Sequence, residues 1–187
     1  MTDLTPLFPR QKVPELRLAL TSGAQFDIST EHPPHFTLLV FYRGLHCPIC
    51  KGQLKELEAK LPEFEKRGVS VVAISSDARD RAERTKVDWA LPTLRVAYEL
   101  DLNVARSWGL YVSSGKGSSS TGVDEPSLFT EPAIYLVRPD ATLYFGSVQT
   151  MPFARPHLSE ILLAIDFVTA KNYPARGEIL NLRRPAA

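Results

Sequence analysis

Runs of apolar residues alternate with helical patterns along the first half of the chain. Phe36 to Tyr42 is rich in Phe, Leu and Val, which is typical of a strand buried on both faces. Pro48 to Leu61 instead repeats leucine at helical spacing, with charged residues mostly on the other face, and Gly68 marks the region in which this helix ends. Val69 to Ser75 is a second buried run, and Arg79 to Ala90 is a second predicted helix. Two successive strand–helix units predict a pair of parallel strands.

Further strands are predicted near both ends. Val13 to Leu20 and Gln25 to Ile28 flank a Thr-Ser-Gly turn, which predicts a short N-terminal β-hairpin. Ala133 to Val137 and Thr142 to Val148 flank a Pro-Asp turn, and an amphipathic helix is predicted over residues 156–170. The result is an α/β fold with a mixed central sheet and helices on both faces, an architecture that resembles thioredoxin.

The middle of the chain departs from this alternation. A short strand is predicted over 94–98 and a short helix over 100–108. Residues 113–122 have no apolar side chain, so we predict a flexible insertion loop over 113–131, irregular throughout. No repeat or linker divides the sequence, and we therefore predict that residues 1–187 form a single domain.

Composition narrows the classes of function. Hydrophobic residues make up 44% and charged residues 23% of the chain, and the net charge is +1, so nothing favours nucleic acid or an anionic membrane. No apolar run is longer than the five residues of Leu38 to Tyr42, which is too short to cross a bilayer, and residues 1–12 lack a signal-peptide core. We therefore predict a cytoplasmic protein, in which a structural disulfide is unexpected.

The two cysteines are the main candidates for chemistry. Cys47 and Cys50 form a Cys-Pro-Ile-Cys segment between a predicted strand and a predicted helix. Positions three apart on a helix have Cβ atoms about 5–6 Å apart, close to the spacing of a disulfide. Pro48 suits the first helical position, which leaves Cys47 at the positive end of the helix, where a thiolate is favoured. We predict Cys47 as the nucleophile and the less exposed Cys50 as the resolving thiol.

Neighbouring residues are supporting candidates. Arg43 adds positive charge near the pair, and His46 is adjacent to the nucleophile. Asp77 is predicted to cap the second helix. Residues 149–156, which follow the last predicted strand, are predicted to lie near the cysteines as a rim or dimer-contact segment. Two alternatives remain open: a pair of ordinary buried cysteines, and a zinc site, which needs about four ligands. Only His46 lies near the pair in sequence, so neither a metal nor an organic cofactor is predicted.

The segment from Phe41 to Cys50, Phe-Tyr-Arg-Gly-Leu-His-Cys-Pro-Ile-Cys, resembles the strand-to-helix signature of peroxiredoxin-like proteins in the alkyl hydroperoxide reductase C / thiol-specific antioxidant (AhpC/TSA) family. The similarity extends from about residue 13 to residue 177. It implies a thioredoxin-like fold, Cys47 as attacking cysteine, Cys50 as resolving cysteine and Pro132 as the cis-proline that faces the disulfide.

The sequence departs from that family at the peroxide-binding positions. Gly44 replaces a Thr or Ser, Val40 replaces a Pro, and Glu131 stands nearest to the place of an arginine that polarises the peroxide. Arg43 is the candidate substitute for that arginine.

The resemblance implies a thiol-dependent antioxidant oxidoreductase that reduces hydroperoxides or disulfides. A thioredoxin- or glutathione-type reductant would restore the dithiol, and a homodimer is expected. The alternative is a non-turnover redox sensor or partner-binding protein on the same fold.

Overall fold

The computed structural model describes residues 5–181; residues 1–4 and 182–187, which the single-domain prediction includes, lie outside this range. The elements follow in the order β1 Arg17–Ala19, β2 Gln25–Asp27, β3 Phe36–Phe41, α1 Pro48–Lys66, β4 Val69–Ile74, α2 Arg79–Asp88, β5 Arg95–Ala97, α3 Leu102–Ser107, β6 Val112–Ser114, β7 Leu128–Thr130, β8 Ala133–Val137, β9 Leu143–Val148 and α4 Leu158–Lys171.

A five-stranded mixed sheet, in the order β5-β4-β3-β8-β9, forms the centre of the protein. The strands β3, β4 and β5 are parallel, with Val40 opposite Ala73. The strand β8 is antiparallel to β3, and β9 is antiparallel to β8. The predicted mixed sheet and the predicted N-terminal hairpin, β1 paired with β2, are confirmed. The carboxyl ends of β3 and β9 lie at the same edge of the sheet, because two reversals restore the original direction.

Hydrophobic clusters cover both faces of the central strand β3. On one face Leu38 and Val40 pack with Leu54 of α1 and Ile161 of α4. On the opposite face Phe41 packs with Trp108, next to α3, and with the N-terminal hairpin. Burial of each such side chain contributes about 1.5–3 kcal/mol. The core therefore fixes the strand from both sides, and the loop that follows it starts from a rigid base.

The helix α1 ends at Lys66, just before Gly68, as predicted; Phe64 is fully buried and anchors its last turn in the core. One other prediction is wrong. The insertion is not irregular throughout, since β6 and β7 at its ends form an antiparallel pair. Phe129 of β7 is fully buried and fastens that hairpin to the rest of the protein. Flexibility between these strands stays a prediction.

Helices α1 and α4 bury one face each; the exposed face of α1 is mostly polar, whereas that of α4 also carries Leu163 and Phe167. No helix within residues 5–181 combines the length and the apolar character that a membrane span requires.

Candidate active site

The turn from β3 into α1 presents Cys47. Cys47 is the N-cap of α1 in extended conformation, with Pro48 directly after it as the first helical residue, and both predicted positions are confirmed. The sulfur of Cys47 accepts a hydrogen bond from the backbone N–H of Cys50 at 3.2 Å. The sulfur therefore takes the place of the side-chain oxygen that satisfies a free amide at most helix starts.

The two cysteines are free thiols whose sulfur atoms lie 2.6 Å apart. The hydrogen bond from the Cys50 thiol is the largest cause that lowers the pKa of Cys47 to about 6, helped by the Cys50 N–H and Arg155 and opposed by burial. Burial and the neighbouring sulfur raise the pKa of Cys50 well above its ordinary range. The pair thus loses its first proton at Cys47, which leaves a nucleophilic thiolate beside a neutral thiol.

Both sulfurs are shielded from solvent. Cys47 is only 1% exposed and Cys50 is fully buried, so the predicted difference in exposure between them is small. Pro48 and Ile49, which separate them, are exposed, so the pair lies directly beneath the surface. Access from solvent to the sulfur of Cys47 is therefore restricted in this conformation.

Arg155 is the cation closest to the sulfurs. It lies in residues 149–156, the segment that the sequence analysis places near the cysteines, although that analysis gave Arg155 no role of its own. Its Nη2 lies 3.2 Å from the sulfur of Cys50 and 4.0 Å from that of Cys47. The guanidinium also donates to the carbonyl of Pro152 at 2.7 Å and to the side chain of Gln53. The order of the strands could have indicated a role for Arg155. It is the only Lys or Arg between β9 and α4, and β9 ends at the edge of the sheet where β3 ends.

Arg43 turns away from the sulfurs toward the hairpin of β6 and β7. Its Nε lies 3.4 Å from a carboxylate oxygen of Glu131, and its Nη2 lies 3.6 Å from one of Glu125. Its guanidinium carbon lies 4.6 Å from the centre of the Phe129 ring. Arg43 is a minor cause of the lowered pKa of Cys47, so Arg155 occupies the position that the sequence analysis offered to Arg43.

His46 is neutral rather than a further cation. The side chain is 1% exposed, and its ring packs 4.7 Å from that of Phe129, centre to centre. Within residues 5–181 neither ring nitrogen has a hydrogen-bond partner. Burial, together with the charge of Arg43, lowers the pKa of His46 to about 4, and the imidazole is therefore uncharged at neutral pH.

Asp77 holds the cysteine loop, residues 42–46, instead of capping α2. Its buried carboxylate accepts the backbone N–H of Leu45 at 2.7 Å and Nε of Arg81 at 2.9 Å. The N-cap of α2 is Ala78, without a side-chain hydrogen bond, so the predicted cap is wrong. Gly44, with φ of +133°, lies so close that a Cβ there would be 2.7 Å from the carboxylate oxygens. Only glycine fits this approach without strain.

Pro132 does not have the predicted cis bond, since no peptide bond among residues 5–181 is cis. Glu131, before it, donates its N–H to the carbonyl of Tyr111 at 2.8 Å, and the carbonyl of Pro132 accepts from Gln149 at 2.9 Å. Both residues are therefore held by backbone hydrogen bonds directly before β8. The cis expectation came from the resemblance alone, because cis forms account for only about 5–6% of X–Pro bonds.

A mixed sheet with a dithiol at the start of the helix after its central strand defines the thioredoxin-like class. The chain belongs to the AhpC/TSA family, whose sequence model matches residues 9–145. The predicted fold and the predicted family are both confirmed.

The sequence identity to an individual curated relative is low. A 1-Cys peroxiredoxin of Dictyostelium discoideum is 26% identical over 147 residues, which are 75% of this chain and 53% of that protein. The chain thus spans about half the length of this curated relative.

Solved structures share the fold at low identity. The peroxidoxin BcpB of Mycobacterium tuberculosis superposes with a TM-score of 0.67 at 16% identity, over 87% of this chain and 98% of that one. Peroxiredoxin 6 of Arenicola marina, as a mutant, gives 0.70 at 19% identity, over 89% and 75%. AhpC of M. tuberculosis gives 0.70 at 14% identity, over 91% and 98%.

Proposed function

We propose that this protein is a thiol peroxidase in which Cys47 attacks the peroxide and Cys50 resolves the product. The observation that supports it most is the sulfur of Cys47 at the helix N-terminus, which accepts hydrogen bonds from both the N–H and the thiol of Cys50. With the pKa of Cys47 lowered to about 6, most of this thiol is ionised at neutral pH.

The proposed reaction has three steps. The Cys47 thiolate attacks the nearer oxygen of a hydroperoxide, an S–O bond forms, the O–O bond breaks, and a proton from water converts the leaving alkoxide to an alcohol. Cys47 is thereby oxidised to a sulfenic acid. The Cys50 thiol then attacks this sulfur, the Cys47–Cys50 disulfide forms, and water is released. Two external thiols reduce the disulfide and are themselves oxidised to a disulfide.

Arg155 orients and ionises the reacting groups. With its Nη2 4.0 Å from the sulfur of Cys47, it stabilises the thiolate and is placed to hold the oxygen at which negative charge develops. The partly exposed side chain is also the covering group that moves when substrate enters.

A second substrate class is a disulfide. The same thiolate attacks a disulfide sulfur, a mixed disulfide forms, and Cys50 displaces the substrate thiol. A thioredoxin- or glutathione-type reductant in the cytoplasm would close either cycle. A homodimer is part of this proposal, as the resemblance implies.

The second candidate function is a redox sensor that does not turn over. The burial of both sulfurs, with Cys47 1% exposed, favours it, because slow access limits turnover without preventing a single oxidation. A sensor would form the Cys47–Cys50 disulfide once per protein and change its binding to a partner.

Steady-state turnover separates these candidates. The purified protein is mixed with hydrogen peroxide, cumene hydroperoxide or insulin, with thioredoxin plus its NADPH-dependent reductase or with glutathione plus glutathione reductase, and NADPH loss is followed. We expect many turnovers with a hydroperoxide. Cys47→Ser should abolish them, and Cys50→Ser should still form a sulfenic acid once but lose sustained turnover.

Three results would contradict the peroxidase proposal. Cys47→Ser could retain the wild-type rate, or only insulin could be reduced. Oxidation could also stop after one equivalent of peroxide although the reductant is in excess, which is the outcome that the sensor predicts. Mass spectrometry of the oxidised protein identifies the residues involved, because the proposed peroxidase must carry a Cys47–Cys50 disulfide.

A further inference from the structure

The β6–β7 hairpin holds the cysteine loop, residues 42–46, by charged and aromatic contacts. Arg43 of the loop faces Glu125 and Glu131 of the insertion. His46 packs on Phe129 of β7. Arg81, whose Nη2 donates to the carbonyl of Asp124 at 3.1 Å, ties the same insertion to α2. The residue directly before the nucleophile is therefore pressed against this hairpin.

Glu131 is the most buried carboxylate in this contact. It is only 3% exposed, and one of its oxygens accepts from the Ser113 hydroxyl at 2.6 Å. Its other oxygen has no hydrogen-bond partner within residues 5–181 and faces only the guanidinium of Arg43, 3.4 Å away. A buried carboxylate needs a charge partner, and Arg43 is the cation that pairs with Glu131.

Several charges surround the loop. The groups that face the loop or the adjacent Cys47 are Glu125 and Glu131 of the insertion, Asp77 before α2, Arg81 in its first turn, and Arg155 before α4. His46 belongs to the loop itself, and Cys47 follows it directly. The charges of Arg43, Glu125 and Arg81 all act on the pKa of His46, and that of Arg43 also acts on Cys47. The Arg43 charge thus lies within range of the reacting sulfur.

We propose that Glu131 is a positioning residue for the attacking thiol, because it holds Arg43 against the hairpin and so keeps that guanidinium away from the sulfur of Cys47. Arg155 is then left as the cation in contact with the pair. The inference rests on the proposed function only in naming Cys47 as the attacking thiol.

The test is the pH dependence of Cys47 alkylation in Glu131→Gln. Iodoacetamide is added to the reduced protein, and modification of Cys47 is followed by mass spectrometry, which requires no substrate and no turnover. Release of Arg43 toward the sulfur is expected to lower the apparent pKa of Cys47 by about half a unit, so alkylation below that pKa becomes about threefold faster. In an Arg43→Met background the same Glu131 substitution should have less than half this effect.

Control variants keep the test decisive. Glu83→Gln removes an exposed carboxylate that pairs with Arg79 and should leave the alkylation profile unchanged. If Glu131→Gln does not fold, Glu125→Gln, which removes the other partner of Arg43, should shift the pKa of Cys47 in the same direction by a smaller amount. Glu131→Asp, which keeps the charge, should restore most of the wild-type profile.

The proposal is overturned if the folded Glu131→Gln protein has an unchanged or raised pKa of Cys47, or if the shift persists in full without Arg43. An unchanged profile in Glu125→Gln, when it is the only folded variant, overturns it equally. Because alkylation is independent of turnover, a protein that lacks peroxidase activity still gives an answer.

Discussion

Replacing Arg155 by methionine removes the cation beside the sulfurs while keeping an unbranched side chain of similar reach. At the 4.0 Å that separates Nη2 from the sulfur of Cys47, two unit charges interact with about 4 kcal/mol at an effective dielectric constant of 20. Arg155 is partly exposed and is shared with Cys50, so we take about 1–2 kcal/mol as its effect. The pKa of Cys47 should then rise by about one unit.

The size of the change in rate depends on pH. Starting from the pKa of about 6 for Cys47, about half of the thiol is ionised at pH 6, and about a tenth after a rise of one unit. Alkylation of Cys47 should therefore slow about fivefold at pH 6, about twofold at pH 7, and hardly at all at pH 9. Removal of the Arg155 side chain should also open access to Cys47. This second effect speeds alkylation and should raise the limiting rate at high pH.

The assay is iodoacetamide alkylation of Cys47 from pH 4 to pH 9, read by mass spectrometry and checked by the ultraviolet absorbance of the thiolate. Arg67→Met is the matched control, because Arg67 pairs with Asp166 at the far end of the 19-residue helix α1. An apparent pKa of Cys47 in Arg155→Met that is unchanged or lower, or a rise of the same size in Arg67→Met, would refute the assignment of Arg155.

Three further predictions concern the cysteine loop and are read by urea unfolding. The pKa of His46 is about 6.5 in the unfolded chain and about 4 in the folded protein. As the pH falls, the unfolded state therefore binds the proton first. The free energy of unfolding should drop by up to about 3 kcal/mol from pH 6.5 to pH 4. His46→Leu should remove the His46 share of this slope, which leaves only the contribution of carboxylates with lowered pKa such as Glu31, and His157→Gln should retain the whole slope. Asp77→Ala should cost about 2–3 kcal/mol, since the buried N–H of Leu45 loses its acceptor. Gly44→Ala should cost about 2 kcal/mol or more through strain and the close approach of its Cβ; wild-type stability in either variant contradicts the loop geometry.

Local sequence patterns were sufficient to predict most of the helices and strands. The apolar run of β3 and the leucine spacing of α1 depend on residues close together in the chain, so the strand, the helix and the dithiol between them could be predicted. The Cys-Pro-Ile-Cys segment carries its own geometry, since a helix start brings positions 47 and 50 together in any fold.

Partners from distant parts of the chain were harder to predict. Arg43 was expected near the sulfur from its position in sequence, but Glu125 and Glu131 arrive from the hairpin and pair with it. Arg155 reaches the sulfurs only because β9 runs in the same direction as β3 and ends at the same edge of the sheet. Charge pairing over such separations follows from the order of the strands, which residue spacing does not encode.

By itself, the amino-acid sequence determined the strand–helix turn that carries Cys47 and Cys50, and it supported the correct family. Tertiary structure decided which arginine lies beside the sulfurs, that His46 is neutral, and that both thiols are shielded from solvent. The physical reason is that hydrogen-bonded turns are local, whereas burial and electrostatic environment are set by every element packed around a site.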